Sequence, residues 1–285
     1  MKAGREAFVL TAPAVLLFLG IVAVPLVMTV MLSFNEWSST VGIISVMKIG
    51  NYREIFSDVY FAEIFLRTLR ISVLVTAACI VFGVPEAYIL RRMREPWRSM
   101  MILVVIGPLL VSVVARTLGW ALIFAGNGLL SQFLLSVGLT DAPVSLMFTE
   151  TGVVIALTHV LLPFMVLSVW AALGRMDQAS EKAAQSLGAG QFTIFRRIVL
   201  PQAMPGVLSG SIVVFTLSAS AFATPAIIGG RRLKVAATLA YDEFLNTLNW
   251  PLGAAVAVLL LVAIILIVVG WNRLVERRYA EVFSQ

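Results

Sequence analysis

The sequence is poor in the residues that carry chemistry. Its 285 residues include one cysteine, one histidine and only 13% charged side chains, where a soluble domain has about 25%. A single thiol, Cys79, excludes an intrachain disulfide and a thiolate metal cluster, and reads as a small buried hydrophobe. No Gly-x-x-x-x-Gly-Lys-Ser/Thr loop occurs, so the chain is not expected to bind or split ATP. Gly188-Ala189-Gly190 lacks the lysine and follows no strand. No Ser-His-Asp, His-Glu-x-x-His or Cys-x-x-Cys arrangement is present, and the apolar runs hold only Glu86, Arg116 and His159, far apart. No catalytic residue, metal site or cofactor is expected, and His159 reads as a hydrogen-bonded packing residue.

What the chain has in quantity is apolar length. It is 60% hydrophobic with a mean hydropathy of +0.98. The pattern predicts an all-α membrane protein, one transmembrane domain over 1–285, with six helical spans near 8–32, 69–90, 100–124, 151–174, 203–228 and 251–271. The uncharged run Ala7–Asn35 exceeds the ~20 residues that cross a bilayer and is too long for the core of a secretory signal. The net charge of +6 does not indicate nucleic-acid binding. In a membrane protein, Lys and Arg record which side each loop faces. Thirteen of them, in the terminal segments and in the loops at 91–98 and 175–202, fall on one side, against seven on the other. That predicts cytoplasmic termini and a cytoplasmic loop 175–202.

This loop is the most polar long segment of the chain. Asp177 can cap a helix, and Glu181 lies in the following turn, where a carboxylate suits the helix dipole. Gly188 and Gly190 break that helix. A second short amphipathic piece, Phe192–Ile198, is expected to stop at Pro201.

The spacing within the loop resembles the signature of inner-membrane permease subunits of binding-protein-dependent ABC importers. That signature is Glu-Ala-Ala, three residues, Gly, nine residues, then Ile-x-Leu-Pro. Ala183, Ala184, Gly188, Ile198, Leu200 and Pro201 fit it, while Lys182 stands at the glutamate position with Glu181 just before it. Elsewhere Gly83-Val84-Pro85-Glu86-Ala87-Tyr88 resembles the close of the second span in the same family, and Ala115-Arg116-Thr117-Leu118-Gly119-Trp120 with Asn127-Gly128, and Leu161-Leu162-Pro163-Phe164, resemble its spermidine/putrescine-type subgroup. The resemblance implies the type I importer permease (MetI-like) fold, a coupling loop that docks on a separate ATPase subunit, present in two copies in the importer, and no ATP hydrolysis by the chain itself. It also implies a second permease, a different chain, and an extracytoplasmic solute-binding protein that docks on the outer loops. The cargo would be a polyamine or related small solute.

Several polar residues within the spans are candidates for the translocation path. Ser209, Thr216, Ser220 and Thr224 are spaced to share one face of a single helix, either letting helices pack closely or lining a wet path. Arg116 must face protein or a cavity and could be structural or line that path. Glu86 is expected to pair with Arg91 or Arg92 near the interface, a transport role being the other reading. An ion-gradient-driven secondary transporter is the alternative function. It would want embedded carboxylates and inverted repeats, and the sequence offers neither.

Overall fold

Long charge-free runs fold as helices because only a helix satisfies every backbone group within one segment in hydrocarbon. The computed structural model describes residues 2–174, 176–177 and 179–283, with side chains from 11 to 273 apart from 175 and 178. In order, the elements are α1 (Lys2–Ser33), β1 (Glu36–Ser38), β2 (Gly42–Ile44), α2 (Gly50–Ser57), α3 (Val59–Arg92), α4 (Trp97–Leu110), α5 (Val113–Phe124) and α6 (Leu129–Ser136). Then come α7 (Glu150–Leu173), α8 (Ala179–Ser186), α9 (Gln191–Ile194), a π turn at Phe195–Val199, α10 (Leu200–Ala219), a second π turn at Pro225–Gly229, α11 (Ala236–Leu245) and α12 (Trp250–Phe283). Six stretches are long and apolar enough to cross a membrane: 11–33, 59–92, 113–136, 150–173, 191–219 and 250–273.

The residues form two compact units, 1–63 with 236–263 and 64–235 with 264–285. In the first, the end of α1 is tied to α2. Asn51 Nδ2 donates to the carbonyls of Ser33 and Asn35, both at 2.8 Å. Tyr52 meets Ser33 Oγ at 2.7 Å and packs its ring on Phe34. The antiparallel pair β1–β2 sets Trp37 opposite Ile43. The α12 N-terminus is capped by Asn249 Oδ1, which accepts the Leu252 N–H at 3.2 Å. Most of α1 is exposed, with Leu16, Leu17 and Phe18 about two-thirds open, a surface suited to hydrocarbon.

The second unit is built around α7. This helix is apolar on all sides, and 12 of its 24 residues are buried. Its start is fixed by Thr149, whose Oγ1 accepts the Gly152 N–H at 3.1 Å, and by Glu150, which Arg70 and Arg67 of α3 bind. Against it lies α10, through two glycines four residues apart. A Cβ at Gly206 would meet the Ser168 carbonyl at 2.6 Å and Ala172 Cβ at 2.7 Å, and one at Gly210 would meet Met165 Sδ at 2.9 Å. Small residues at this spacing let membrane helices approach backbone to backbone. Gly206→Val is expected to destabilise the protein at the upper end of the ~1–3 kcal/mol typical of overpacking, because a carbonyl cannot move aside as a side chain can. Thermal unfolding in detergent checks this; an unchanged midpoint would mean that the two helices do not pack so closely.

Two expected spans are interrupted. The third is not one helix over 100–124. Pro108 offers no N–H, and two residues after the α4 terminus at Leu110 the chain is still extended, at Val111 and Ser112, before α5 begins. The fifth begins earlier and ends earlier than 203–228. Pro201 does not stop the preceding helix: the π turn, in which the Leu200 N–H reaches back to Phe195 O, widens the backbone just before the residue that lacks a donor. Helix therefore runs from Gln191 to Ala219 and breaks at Ser220.

Candidate functional site

The loop 175–202 is a helix, a glycine turn and a helix, and each join has a local cause. Asp177 Oδ1 accepts the Ala179 N–H at 2.9 Å where α8 starts. Gly188 ends α8 with φ +81°, a conformation glycine adopts without strain. The Ala189 N–H bonds to Ala184 O and the Gly188 N–H to Gln185 O, at 3.0 and 2.9 Å, so the last carbonyls are satisfied and the chain reverses. A Cβ on Gly188 would meet no atom within 4 Å, so any substitution there acts through the backbone alone. Gly188→Val is expected to strain or open the turn, by about 1–2 kcal/mol, and to lower cargo moved per ATP while Gly188→Asn retains more of it; equal transport by both variants would show that the turn geometry is not used.

One acid holds α8 to the rest of the unit. Glu181 lies in the first turn of α8 and is 6% exposed. Its Oε1 accepts from Arg91 Nη1 at 2.9 Å, and its Oε2 from Arg92 Nη2 and Tyr88 OH, both at 3.1 Å. Arg91 Nη2 donates to Met176 O at 3.0 Å, Arg92 Nη1 donates to Gln191 Oε1 at 2.7 Å, and the Arg92 guanidinium covers the Tyr88 ring at 4.8 Å. Phe195 stacks on Tyr88. The end of α3 thus grips α8 and α9 together. Its arginines also lie where cations suit the C-terminus of a helix.

The expected pair between Glu86 and Arg91 or Arg92 is not made, and both arginines go to Glu181. On a helix of 3.6 residues per turn, positions five and six residues on are turned roughly 120–140° away from Glu86. Tyr88, Arg91 and Arg92 are spaced by three and four and share a face. Sequence reasoning placed Glu181 in the loop but missed Tyr88, Arg91 and Arg92 as its holders and Gln191 as the second partner of Arg92. The shared face was the available signal.

The remaining loop residues sort by side. Ala184, Ile198 and Leu200 pack against the apolar core, whereas Lys182, Ala183, Gly188 and Pro201 are exposed.

The candidate path residues do not form one row. Ser209 is exposed, and so is Ser220, whose hydroxyl donates to Thr216 O at 2.8 Å where α10 ends; Thr216 is half-buried. Thr224 lies beyond the break, 1% exposed, with its hydroxyl 3.0 Å from that of Thr117 on α5. Thr117 already donates to Val113 O, so Thr224 is the donor between them. One turn along α5, Trp120 Nε1 donates to His159 Nδ1 at 3.2 Å, which leaves the imidazole proton on Nε2 and makes His159 a packing partner of Trp120. Beside Thr117, Arg116 is half-buried, and its Nε and Nη1 are buried with no hydrogen-bond partner.

Comparison with known proteins agrees with this architecture. The family model described as "Binding-protein-dependent transport system inner membrane component" matches residues 80–281. The chain is 30% identical over 240 residues to the spermidine/putrescine transport system permease protein PotB of Salmonella typhimurium, covering 83% of each. Among solved structures, that of a bacterial alginate ABC transporter in complex with alginate pentasaccharide-bound periplasmic protein superposes with a TM-score of 0.78 at 18% identity, covering 97% of this chain and 96% of that one. The MetNI methionine ABC transporter superposes at 0.57, also with 18% identity, covering 76% and 94%. The matched residues take in the end of α3, the loop that it grips and the broken spans that follow, and on that extent the chain belongs to the binding-protein-dependent transport system inner membrane components, as a permease subunit of an ABC importer with the MetI-like fold.

Proposed function

We propose that this permease forms the translocation path of a polyamine importer in a bacterial inner membrane, and that the whole chain acts as one transmembrane domain. Both termini and the loop 175–202 face the cytoplasm, as the excess of Lys and Arg on that side requires. Of the residues in that count, Lys2, Arg5, Arg175, Arg277 and Arg278 lie outside the described side chains. The importer holds two copies of an ATPase subunit, one of which engages this loop from the cytoplasmic side. A second permease, a different chain, completes the path, and a solute-binding protein delivers cargo from outside. Membership of the importer family leaves no place for the ion-gradient alternative.

The observation that carries the mechanism is the buried cluster around Glu181. It makes α8, α9 and the end of α3 one mechanical piece. A push on α8 reaches α3 through the ion pairs and α10 through the unbroken helix from Gln191 to Ala219. Both helices enter the membrane, so movement of the ATPases tilts two spans together. Ser209, Thr216 and Ser220 are the path-lining candidates, with Arg116 on α5 and Thr224 in the segment beyond the end of α10. The cargo class rests on kinship with the PotB permease. The test is uptake of labelled spermidine by proteoliposomes holding the complete importer. Uptake that requires ATP and is competed by putrescine is expected. ATP-driven uptake of another solute with none of spermidine would overturn the cargo, and uptake without ATP would overturn the coupling.

A further inference from the structure

The loop presents two kinds of side chain to water, and together they describe what covers it. Leu187 is 88% exposed and Phe192 is 75% exposed, on either side of the glycine turn. Leu187 lies outside every candidate span, Phe192 lies in the first turn of the 191–219 helix ahead of Arg196 and Arg197, and both flank the reversal in the loop. Around them the charge is of one sign. Arg94, Lys182, Arg196 and Arg197 are exposed and make no ion pair among the described residues. Among the described residues, the acids of the loop 175–202 and of the 91–98 turn are already engaged. Glu181 is buried between Arg91 and Arg92. Glu95 meets Arg98 at 2.5 Å and Ser99 Oγ at 2.6 Å, and the Ser99 hydrogen bond, with Arg98 beside it, holds its carboxyl below the usual range, so it stays ionised and spoken for. Asp177 spends an oxygen on the start of α8. Lys182 follows Glu181 directly, and 100° further round the helix it points out as Glu181 points in.

We propose that this face seats in an acidic groove of the ATPase subunit, with an apolar floor that takes Leu187 and Phe192 and carboxylates opposite Lys182 and the Arg196–Arg197 pair. The proposal rests on the ATPase-driven reading above and adds the sign of the contact. Four exposed cations facing a basic or neutral groove would repel it or go unpaired on docking, whereas carboxylates across the seam speed encounter and fix its register. The single acid next to the motif cannot supply an opposite sign, because it is turned inward and already holds two arginines.

The experiment measures binding of the importer's own purified ATPase subunit to the permease complex held in lipid nanodiscs, at low and high salt. Wild-type binding is expected to weaken steadily with salt. Lys182→Glu is expected to weaken it about tenfold or more at low salt, with the gap to wild type closing at ~1 M salt. Lys182→Gln is expected to fall between, and the paired change Arg196→Glu with Arg197→Glu to act in the same direction. The Lys182 side chain makes no hydrogen bond or ion pair among the described residues, so the thermal midpoint of the permease should not move and a folding defect can be told apart. Equal or tighter binding by Lys182→Glu, or binding indifferent to salt, overturns the acidic groove while leaving the ATPase-driven reading intact. Failure of the wild-type complex to bind its ATPase at any salt overturns both.

Discussion

An importer carrying Glu181→Ala is expected to hydrolyse ATP while moving little cargo. Among the described residues Glu181 is the only carboxylate that meets Arg91 and Arg92, and it does so at a site where Arg91 is 9% exposed in its side chain and Glu181 itself 8%. Breaking a buried pair by deleting one partner costs on the order of 3–5 kcal/mol, because the other charge is left desolvated and unmatched. Arg92, 38% exposed, can turn to water and loses less. Arg91 keeps the Met176 carbonyl, which binds its Nη2 but does not neutralise it. The chain relieves the strain by letting α8 part from the end of α3. An energy of that size shifts the attached-to-detached equilibrium by a factor of at least about a hundred. The α7–α10 packing is untouched, so the protein still inserts and assembles. What is lost is the path by which a displacement of α8 reaches α3. Glu181→Gln retains the geometry for Tyr88 and one arginine and should fall between. Arg91→Met should cost less than Glu181→Ala, since it removes the charge that would be stranded, and the double variant should cost less than the two single costs combined. The measurement is the ratio of cargo imported to ATP hydrolysed in proteoliposomes. A wild-type ratio in Glu181→Ala at normal expression would show that the coupling force does not pass through this cluster.

The same cluster marks where sequence reasoning stops. Features set by neighbours in the chain were readable. Asp177 and Gly188 bound α8 because a cap and a left-handed turn need only a few residues, and the helix–turn–helix order followed from them. The long apolar runs were readable because a span is defined by its own length. Arg91 and Glu181 are ninety positions apart, and nothing local connects them. An acid earlier in the same helix, Glu86, drew the assignment, although the helical turn points it elsewhere. Pro201 misled in the opposite direction. A proline stops a regular α-helix, but one π turn ahead of it absorbs the missing donor, and that adjustment has no composition of its own. The glycines that bring α10 onto α7, Gly206 and Gly210, went unread, and nothing local names their partner helix. The row of four hydroxyls failed at Thr224 because it assumed one helix across Ser220, where the backbone breaks.

Arg116→Met is expected to make the permease more heat-stable and a poor importer at once. Met fills much the same volume as the stem of arginine and asks for no hydrogen bond. In the native chain, Arg116 holds two buried N–H groups, on Nε and Nη1, that meet no acceptor. Each unsatisfied buried donor costs about 1–3 kcal/mol, and more on a charged group. A cation at membrane depth adds a further cost, on the order of 2.5–3.5 kcal/mol on insertion scales. If Arg116 served only this chain, such terms would have no compensation in it. Its place explains the retention. It stands on α5 beside Thr117, whose contact with Thr224 joins α5 to the segment after the break in α10. When that joint opens, the guanidinium can reach acceptors offered by cargo, by water in the path or by the second permease. Residues kept at a cost to stability are a recurrent mark of function. The isolated permease with Arg116→Met should therefore unfold in detergent several degrees above wild type, while ATP-driven uptake by the full importer falls about tenfold or more. Arg116→Lys retains the charge but not the fork of donors, and should lose uptake with little gain in stability. A lower unfolding temperature for Arg116→Met would mean that the guanidinium is satisfied within the fold, and full uptake would remove it from the path.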